Sequence, residues 1–262
     1  MSILQKVIKR INEKGIYRIA KDTSRYIARY LLRKYAVMRV GVGKKYTYKG
    51  VTIYPKGLHP NIKGSIGTES MDNGTIELID EYLPKDVAVI EVGGGIGIVS
   101  CYIDKHIDKS VVEIVLEANK KILPRLEKHR EENGAYFDII SKAYEPNGRR
   151  TTLYTGNQFW STSTVKDQNR KMTKVDGISI SGIVTKFNIK QFSLVTNCEG
   201  AEFELIHNEI DVLRDKCNTM IIGFHNVDEF DIGDTVKYIT KNGFRYIEKK
   251  GKKKFLFKNN EI

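Results

Sequence analysis

The chain has 262 residues, 40% of them hydrophobic and 29% charged, with a formal net charge of +12. This length suits one α/β domain with a buried core plus an extension. The composition excludes a disulfide-stapled scaffold, because Cys101, Cys198 and Cys217 are widely spaced with no CxxC pair. It also excludes a bilayer-spanning chain, since no apolar run approaches the roughly 18 to 20 residues required.

The N-terminus is basic without a continuous apolar core, so no signal peptide is expected. The expected location is cytoplasmic, with a peripheral membrane association through the basic arm. Residues 1–45 hold 13 Lys and Arg against Glu13 and Asp22, a net of +11, which leaves +1 for the remaining 217 residues. The expected division is therefore a basic helical extension at 1–45 and a catalytic domain at 46–262. Leu4, Val7, Ile8 and Ile11 predict a first amphipathic helix over 3–14. After Gly15, a second is predicted with Ile16, Ile19, Thr23, Tyr26, Ile27 and Tyr30 on one side. Such a pair suits capping of the domain, an oligomer contact, an anionic membrane surface or an acidic substrate.

Residues 46–70 read as a connecting segment with a short strand at 51–54, and 74–83 as a helix stopped by Pro84. Strand and helix then alternate. Strands are expected at 87–92, 111–117, 136–141, 192–197 and 219–224. Helices are expected at 96–105, 120–133, 178–187, 201–213 and 234–242, and a hairpin at 245–258 turns around Gly251. The segment 144–175 is polar, with strands at 151–154 and 161–165. Its Tyr154, Phe159 and Trp160 are expected to shape an acceptor pocket. The pattern predicts an α/β fold: a Rossmann-like, doubly wound, mainly parallel sheet with a C-terminal antiparallel hairpin, preceded by the basic helices.

The central motif is Glu91-Val92-Gly93-Gly94-Gly95-Ile96-Gly97, a glycine loop between a strand and a helix. Glycines at 93, 95 and 97 permit a sharp turn and close backbone approach to a ligand. Glu117 ends the next strand, 20 residues after Gly97, where a carboxylate can accept bonds from both ribose hydroxyls of a nucleoside. A dinucleotide site prefers GxGxxG, whereas this loop is spaced GxGxG and begins with an acid. A carboxylate repels a pyrophosphate and attracts an ammonium or sulfonium, so the spacing favours S-adenosyl-L-methionine over NAD. Asp138 is a further candidate, for the adenine. No metal site is expected.

A second group follows the fourth long strand: Asn197-Cys198-Glu199-Gly200-Ala201-Glu202. Glu199 and Glu202 suit either catalysis or simple helix capping. His225, leaving the fifth strand, is a candidate base beside Glu199.

On the glycine loop, on Leu116-Glu117-Ala118-Asn119 and above all on Glu199-Gly200-Ala201-Glu202, the segment from Val87 to about Phe257 resembles the FkbM family of methyltransferases. The resemblance covers two-thirds of the chain. It implies S-adenosyl-L-methionine-dependent O-methylation of a sugar, glycan or small metabolite. This sequence departs from the family pattern at Glu91, Gly94, Gly95 and Ala118. It departs also at Asn197 and Gly223, where the family usually has acids. Two other readings stay open. One is an RNA methyltransferase, supported by the basic arm and the lysines between 249 and 258. The other is a non-catalytic scaffold of the same fold at a membrane surface.

Overall fold

The computed structural model describes residues 16–156, 162–165, 169–225, 227, 230–251 and 253–262. The helix expected over 3–14 lies outside them, as do Phe159 and Trp160. The chain forms two compact units, Met1–Tyr48 with Tyr54–Met71, and Lys49–Ile53 with Asp72–Ile262.

In the first unit, α1 (Ile16–Gly41) runs unbroken and is followed by β1 (Tyr46–Tyr48) and α2 (Pro60–Gly67). Within the expected stripe Tyr26, Ile27 and Tyr30 are exposed, and the buried positions of the helix include Ala36 and Val40. Helix α2 occupies the stretch expected to be a connecting segment. His59 caps it, Nδ1 accepting from the Asn61 N–H. A Cβ on Gly67 would lie 2.8 Å from the Ala36 carbonyl oxygen, so the glycines that weaken helix propensity are what let α1 and α2 meet.

The second unit opens with β2 (Val51–Ile53) and α3 (Asn73–Tyr82). Then come β3 (Ala88–Val92), α4 (Ile98–His106), β4 (Glu113–Leu116), α5 (Leu123–Asn133), β5 (Asp138–Ile140) and β6 (Ala143–Tyr144). A small sheet follows, of β7 (Thr151–Thr155), β8 (Thr162–Ser163) and β9 (Lys171–Val175) in the order β8-β7-β9. Strand β9 was not expected, because its Lys-Met-Thr-Lys side chains are all exposed and carry no apolar alternation. After β10 (Gly177–Ile178) and α6 (Ile180–Lys186) come β11 (Phe192–Thr196), α7 (Ala201–Lys216), β12 (Cys217–Gly223) and α8 (Ile232–Lys241). The closing hairpin is β13 (Phe244–Lys250) and β14 (Lys254–Asn259).

The main sheet runs β5-β4-β3-β11-β12-β14-β13. The first five strands are parallel, and β14 is antiparallel to both its neighbours. This is the expected Rossmann-like sheet with its antiparallel hairpin. Strand periodicity divides the core between two faces. Ile90, Val92, Leu194, Met220 and Ile222 pack with α6 to α8, while Val89, Val195, Ile221 and Leu256 pack with α3 and α4. Helix α5 begins at Leu123, not at 120, with Pro124 in its first turn where the missing N–H costs no bond. Gly134 ends it at φ 59°.

One core position opposes folding. Glu113, at the start of β4, is 1% exposed, and neither carboxyl oxygen has a partner among the described residues. Burial, reinforced by the charges of Glu91 and Asp104, pushes its pKa well above the usual carboxylate range. The folded chain therefore holds this proton while the unfolded chain loses it above about pH 4.5, so stability falls as pH rises. Glu113→Gln removes the titration. The melting temperature of the variant relative to the parent should climb between pH 5 and pH 8, by about 2–4 °C for each kcal/mol recovered. A pH-independent difference in calorimetry would contradict this account.

Candidate active site

The strand order reverses at β3, whose neighbours β4 and β11 lead away to opposite sides. Crevices at such a switch point, at the carboxyl ends of the strands, are where open α/β sheets take ligands. Here the glycine loop leaves β3. The Leu116 carbonyl accepts from both the Gly93 and Gly94 N–H groups, which ties the loop to the end of β4. Gly93 has φ 97°, and a Cβ there would lie 2.6 Å from the Asn197 carbonyl oxygen. Position 93 therefore admits no side chain, and the turns after β3 and β11 are pressed together.

Glu91 and Glu117 flank this loop, as the spacing predicts. Glu91 is 3% exposed and accepts a hydrogen bond from Ser100 Oγ on α4. Burial, together with the charges of Asp72 and Glu117, pushes its pKa up to about 8 against the opposing effect of Ser100. Glu117 accepts from the Gly95 N–H at 2.8 Å with one oxygen and from the Asn119 N–H at 2.7 Å with the other. Burial raises its pKa as well, and these backbone bonds act against the rise. Asp72 joins the two acids. It precedes α3 in a left-handed conformation and was missed in the sequence because it sits some 20 residues before the motif.

Asp138 does not join them. It is exposed at the first residue of β5, paired with Ile114 and two residues short of the strand's carboxyl end. Ser141, just past that end, has a buried hydroxyl without a partner among the described residues.

The second group assembles around Glu202. This side chain is fully buried in the first turn of α7. One oxygen accepts from the Cys198 N–H at 2.9 Å and from His225 Nδ1 at 2.8 Å; the other accepts from the Gly200 N–H at 2.7 Å. Glu202 is thus saturated by the turn it organises. Glu199, 37% exposed and in a left-handed conformation, faces the opposite ring nitrogen, with Oε1 3.5 Å from His225 Nε2. The turn is covered by β8, where Ser163 Oγ donates to the Glu199 carbonyl at 2.6 Å.

His225 therefore sits between two carboxylates. Burial alone would lower its pKa, but the Glu202 hydrogen bond and the charges of Glu202 and Glu199 outweigh that and raise it. The Glu199 pKa is also raised, chiefly by burial, with His225, Arg170 and Lys254 opposing. The unit is a carboxylate–imidazole–carboxylate chain able to hold or pass one proton at the mouth of the crevice.

No protein-family model matches the chain, and no curated protein matches it. Among solved structures it is similar to a methyltransferase from Pyrococcus furiosus, with 12% identity, 91% of this chain and 100% of that one covered, and a TM-score of 0.47. It is similar also to precorrin-6y C5,15-methyltransferase from Geobacter metallireducens, with 10% identity, 71% and 87% covered, and a TM-score of 0.43. A third is TrmK of M. capricolum in complex with S-adenosyl-homocysteine, with 10% identity, 71% and 68% covered, and a TM-score of 0.42. The resemblance to the FkbM family rests on the sequence motifs alone.

The arrangement predicts that Glu202 sets the protonation of His225. In Glu202→Gln the principal raising influence is lost and burial dominates. The His225 imidazole, followed by NMR, should titrate above about pH 6.5 in the parent and clearly lower in the variant. Equal titration midpoints would show that Glu202 only caps its helix.

Proposed function

We propose that this chain is an S-adenosyl-L-methionine-dependent methyltransferase acting on a hydroxyl of a sugar, glycan or small metabolite. The observation that carries this reading is the hydrogen bond from the Gly95 N–H of the glycine loop to Glu117, with Glu91 at the start of that loop and Asp72 tied through Asn197 to the turn facing it. The mutual influence of these acids appears in the Glu91 pKa. Acids at this loop suit a ligand carrying an ammonium and a sulfonium better than a pyrophosphate; Glu91, which holds its proton near neutral pH, contributes polarity and no full charge.

In this reading Glu117 holds the ribose hydroxyls. The Gly93 to Gly97 backbone gives close approach, and Asp72 faces the positive groups. The bound cofactor supplies a methyl group already activated on sulfur. The protein's own tasks are alignment and removal of a proton from the acceptor. Glu199 and His225 Nε2 share that proton, and Glu202 fixes the ring by its bond to Nδ1.

The RNA reading receives less support from the lysine-rich end. Lys250 pairs with Glu248 at 2.9 Å and Glu81 at 3.2 Å. Lys258 donates to the Tyr82 carbonyl and to Thr219. Lysines tied into the fold do not form a phosphate-tracking stripe.

The second element of the reading concerns α1. Ile27, Tyr30, Leu31, Tyr35 and Met38 are each at least half exposed on one side of this helix. Its 26 residues include seven Lys or Arg and a single acid, Asp22. An exposed apolar stripe on a basic helix complements an anionic lipid surface. No helix among the described residues is long and apolar enough to cross a membrane.

Two measurements test these assignments. Calorimetry with S-adenosyl-homocysteine should show Glu117→Ala binding at least about tenfold more weakly than the parent, one charged hydrogen bond's worth. Unchanged affinity would remove Glu117 from the cofactor site. Co-sedimentation should retain the protein on phosphatidylglycerol-containing vesicles but not on purely zwitterionic ones, with loss of binding in Leu31→Glu. Equal retention of parent and variant would remove α1 from the membrane.

A further inference from the structure

The crevice holds a cation that the proposed mechanism does not use. Lys254 opens β14 and, through the antiparallel register, stands opposite Gly223 at the end of β12. Its ammonium donates to Asn197 Oδ1 at 2.8 Å, and the Asn197 amide in turn donates to Asp72 Oδ1 at 3.1 Å. The side chain is 19% exposed, so the charge lies at the crevice and not out in solvent.

Gly223 is what makes room for it. A Cβ at 223 would sit 2.6 Å from Lys254 Nζ, 2.9 Å from Asn197 Oδ1 and 3.1 Å from the Thr196 carbonyl oxygen. Any larger residue displaces the ammonium. Gly223 has no positive φ, so backbone conformation does not require a glycine there; the lysine does. The neutral amide of Asn197 serves the same end. It turns its oxygen to Lys254 and its nitrogen to Asp72, bridging an ammonium and a carboxylate that also form a long ion pair at 4.0 Å.

In the proposed function this cation lies toward the acceptor. The positive charges of Lys254 and Arg170 both reach Glu199, one from β14 and the other from the residue preceding β9. Lys254 also acts on His225. The groups around Lys254 are thus Asp72 and Asn197, which it contacts, and Glu199 and His225, on which its charge acts. In the proposed function Asp72 is engaged by the cofactor, which leaves Lys254 directed at the acceptor.

Resting on that proposed function, we infer that Lys254, lodged in the space left by Gly223, is a specificity-determining residue for an acceptor bearing an anionic group, a phosphate or a carboxylate, near the hydroxyl that is methylated. The anion docks on the ammonium and thereby places the hydroxyl against Glu199 and His225. A charge-assisted bond of this kind confers about tenfold or more in affinity.

The test compares three probes of one shape: glucose, glucose 1-phosphate and glucuronate. They are titrated at matched ionic strength into protein saturated with S-adenosyl-homocysteine, following the Gly223 and Asn197 amide signals by NMR. The anionic probes should shift these signals and glucose should not. The phosphate and carboxylate arms identify which anion is preferred. Lys254→Met should weaken the anionic probe at least tenfold, Lys254→Arg should retain most of the binding, and Gly223→Val should behave like Lys254→Met. S-adenosyl-homocysteine affinity should stay within about twofold in all three variants. Absence of any shift with the anions, equal shifts with glucose, or anion binding that survives Lys254→Met would overturn the inference. So would a loss of S-adenosyl-homocysteine affinity in Lys254→Met, which would assign the lysine to the cofactor. Failure of the parent itself to bind S-adenosyl-homocysteine is a different result: it would sink the proposed function first.

Discussion

The close approach of two turns governs this structure. The backbone after β3 and the backbone after β11 are so near at Gly93 and Asn197 that a methyl group between them would overlap a carbonyl oxygen. Parallel pairing of the two strands brings their carboxyl ends side by side, and the missing side chain lets the loops beyond them close together. As a result the acids flanking the glycine loop and the carboxylate–imidazole chain after β11 share one crevice. A reaction between two bound molecules needs that adjacency more than it needs any single side chain.

Within the crevice the acidic residues do different work according to what satisfies them. Glu202 is buried and saturated by two backbone N–H groups and an imidazole. It shapes the turn and orients His225, and, fully buried, presents no surface to a ligand. Glu199, one turn earlier and partly exposed, keeps its carboxyl open toward His225. Of the two, Glu202 takes the capping role, and in the proposed function Glu199 takes the catalytic one. Glu117 and Glu91 divide similarly. The first is held by the loop's own amides, while the second is buried against a serine hydroxyl with its proton retained near neutral pH.

The elements with strong periodicity or a sharp stop were legible in the sequence. The five parallel strands are apolar runs, Gly134 ends α5 as a left-handed cap, and Gly251 turns the final hairpin. Helix α2 was hidden because Gly64 and Gly67 lower helix propensity, and only their contact with Arg33 and Ala36 justifies them. Strand β9 was hidden because an exposed hairpin strand needs no apolar alternation. Asp138 misled because an acid near a strand says nothing about which end of the strand carries it. Lys254 was indistinguishable from its neighbours in a lysine-rich hairpin until the register placed it against Gly223.

The sequence by itself determined the sheet, the glycine loop with its flanking acids, and the turn that follows β11, because these depend on local spacing and on patterns of period two and 3.6. The tertiary structure alone decided that Asp72 joins the acids around the loop, that Glu202 is consumed by its own turn while Glu199 is not, and that a lysine fills the gap at Gly223. Those are contacts between residues tens to well over a hundred positions apart, or differences in burial between near neighbours. Neither is encoded in spacing; both follow from which backbone segments the packed sheet brings within a few ångströms.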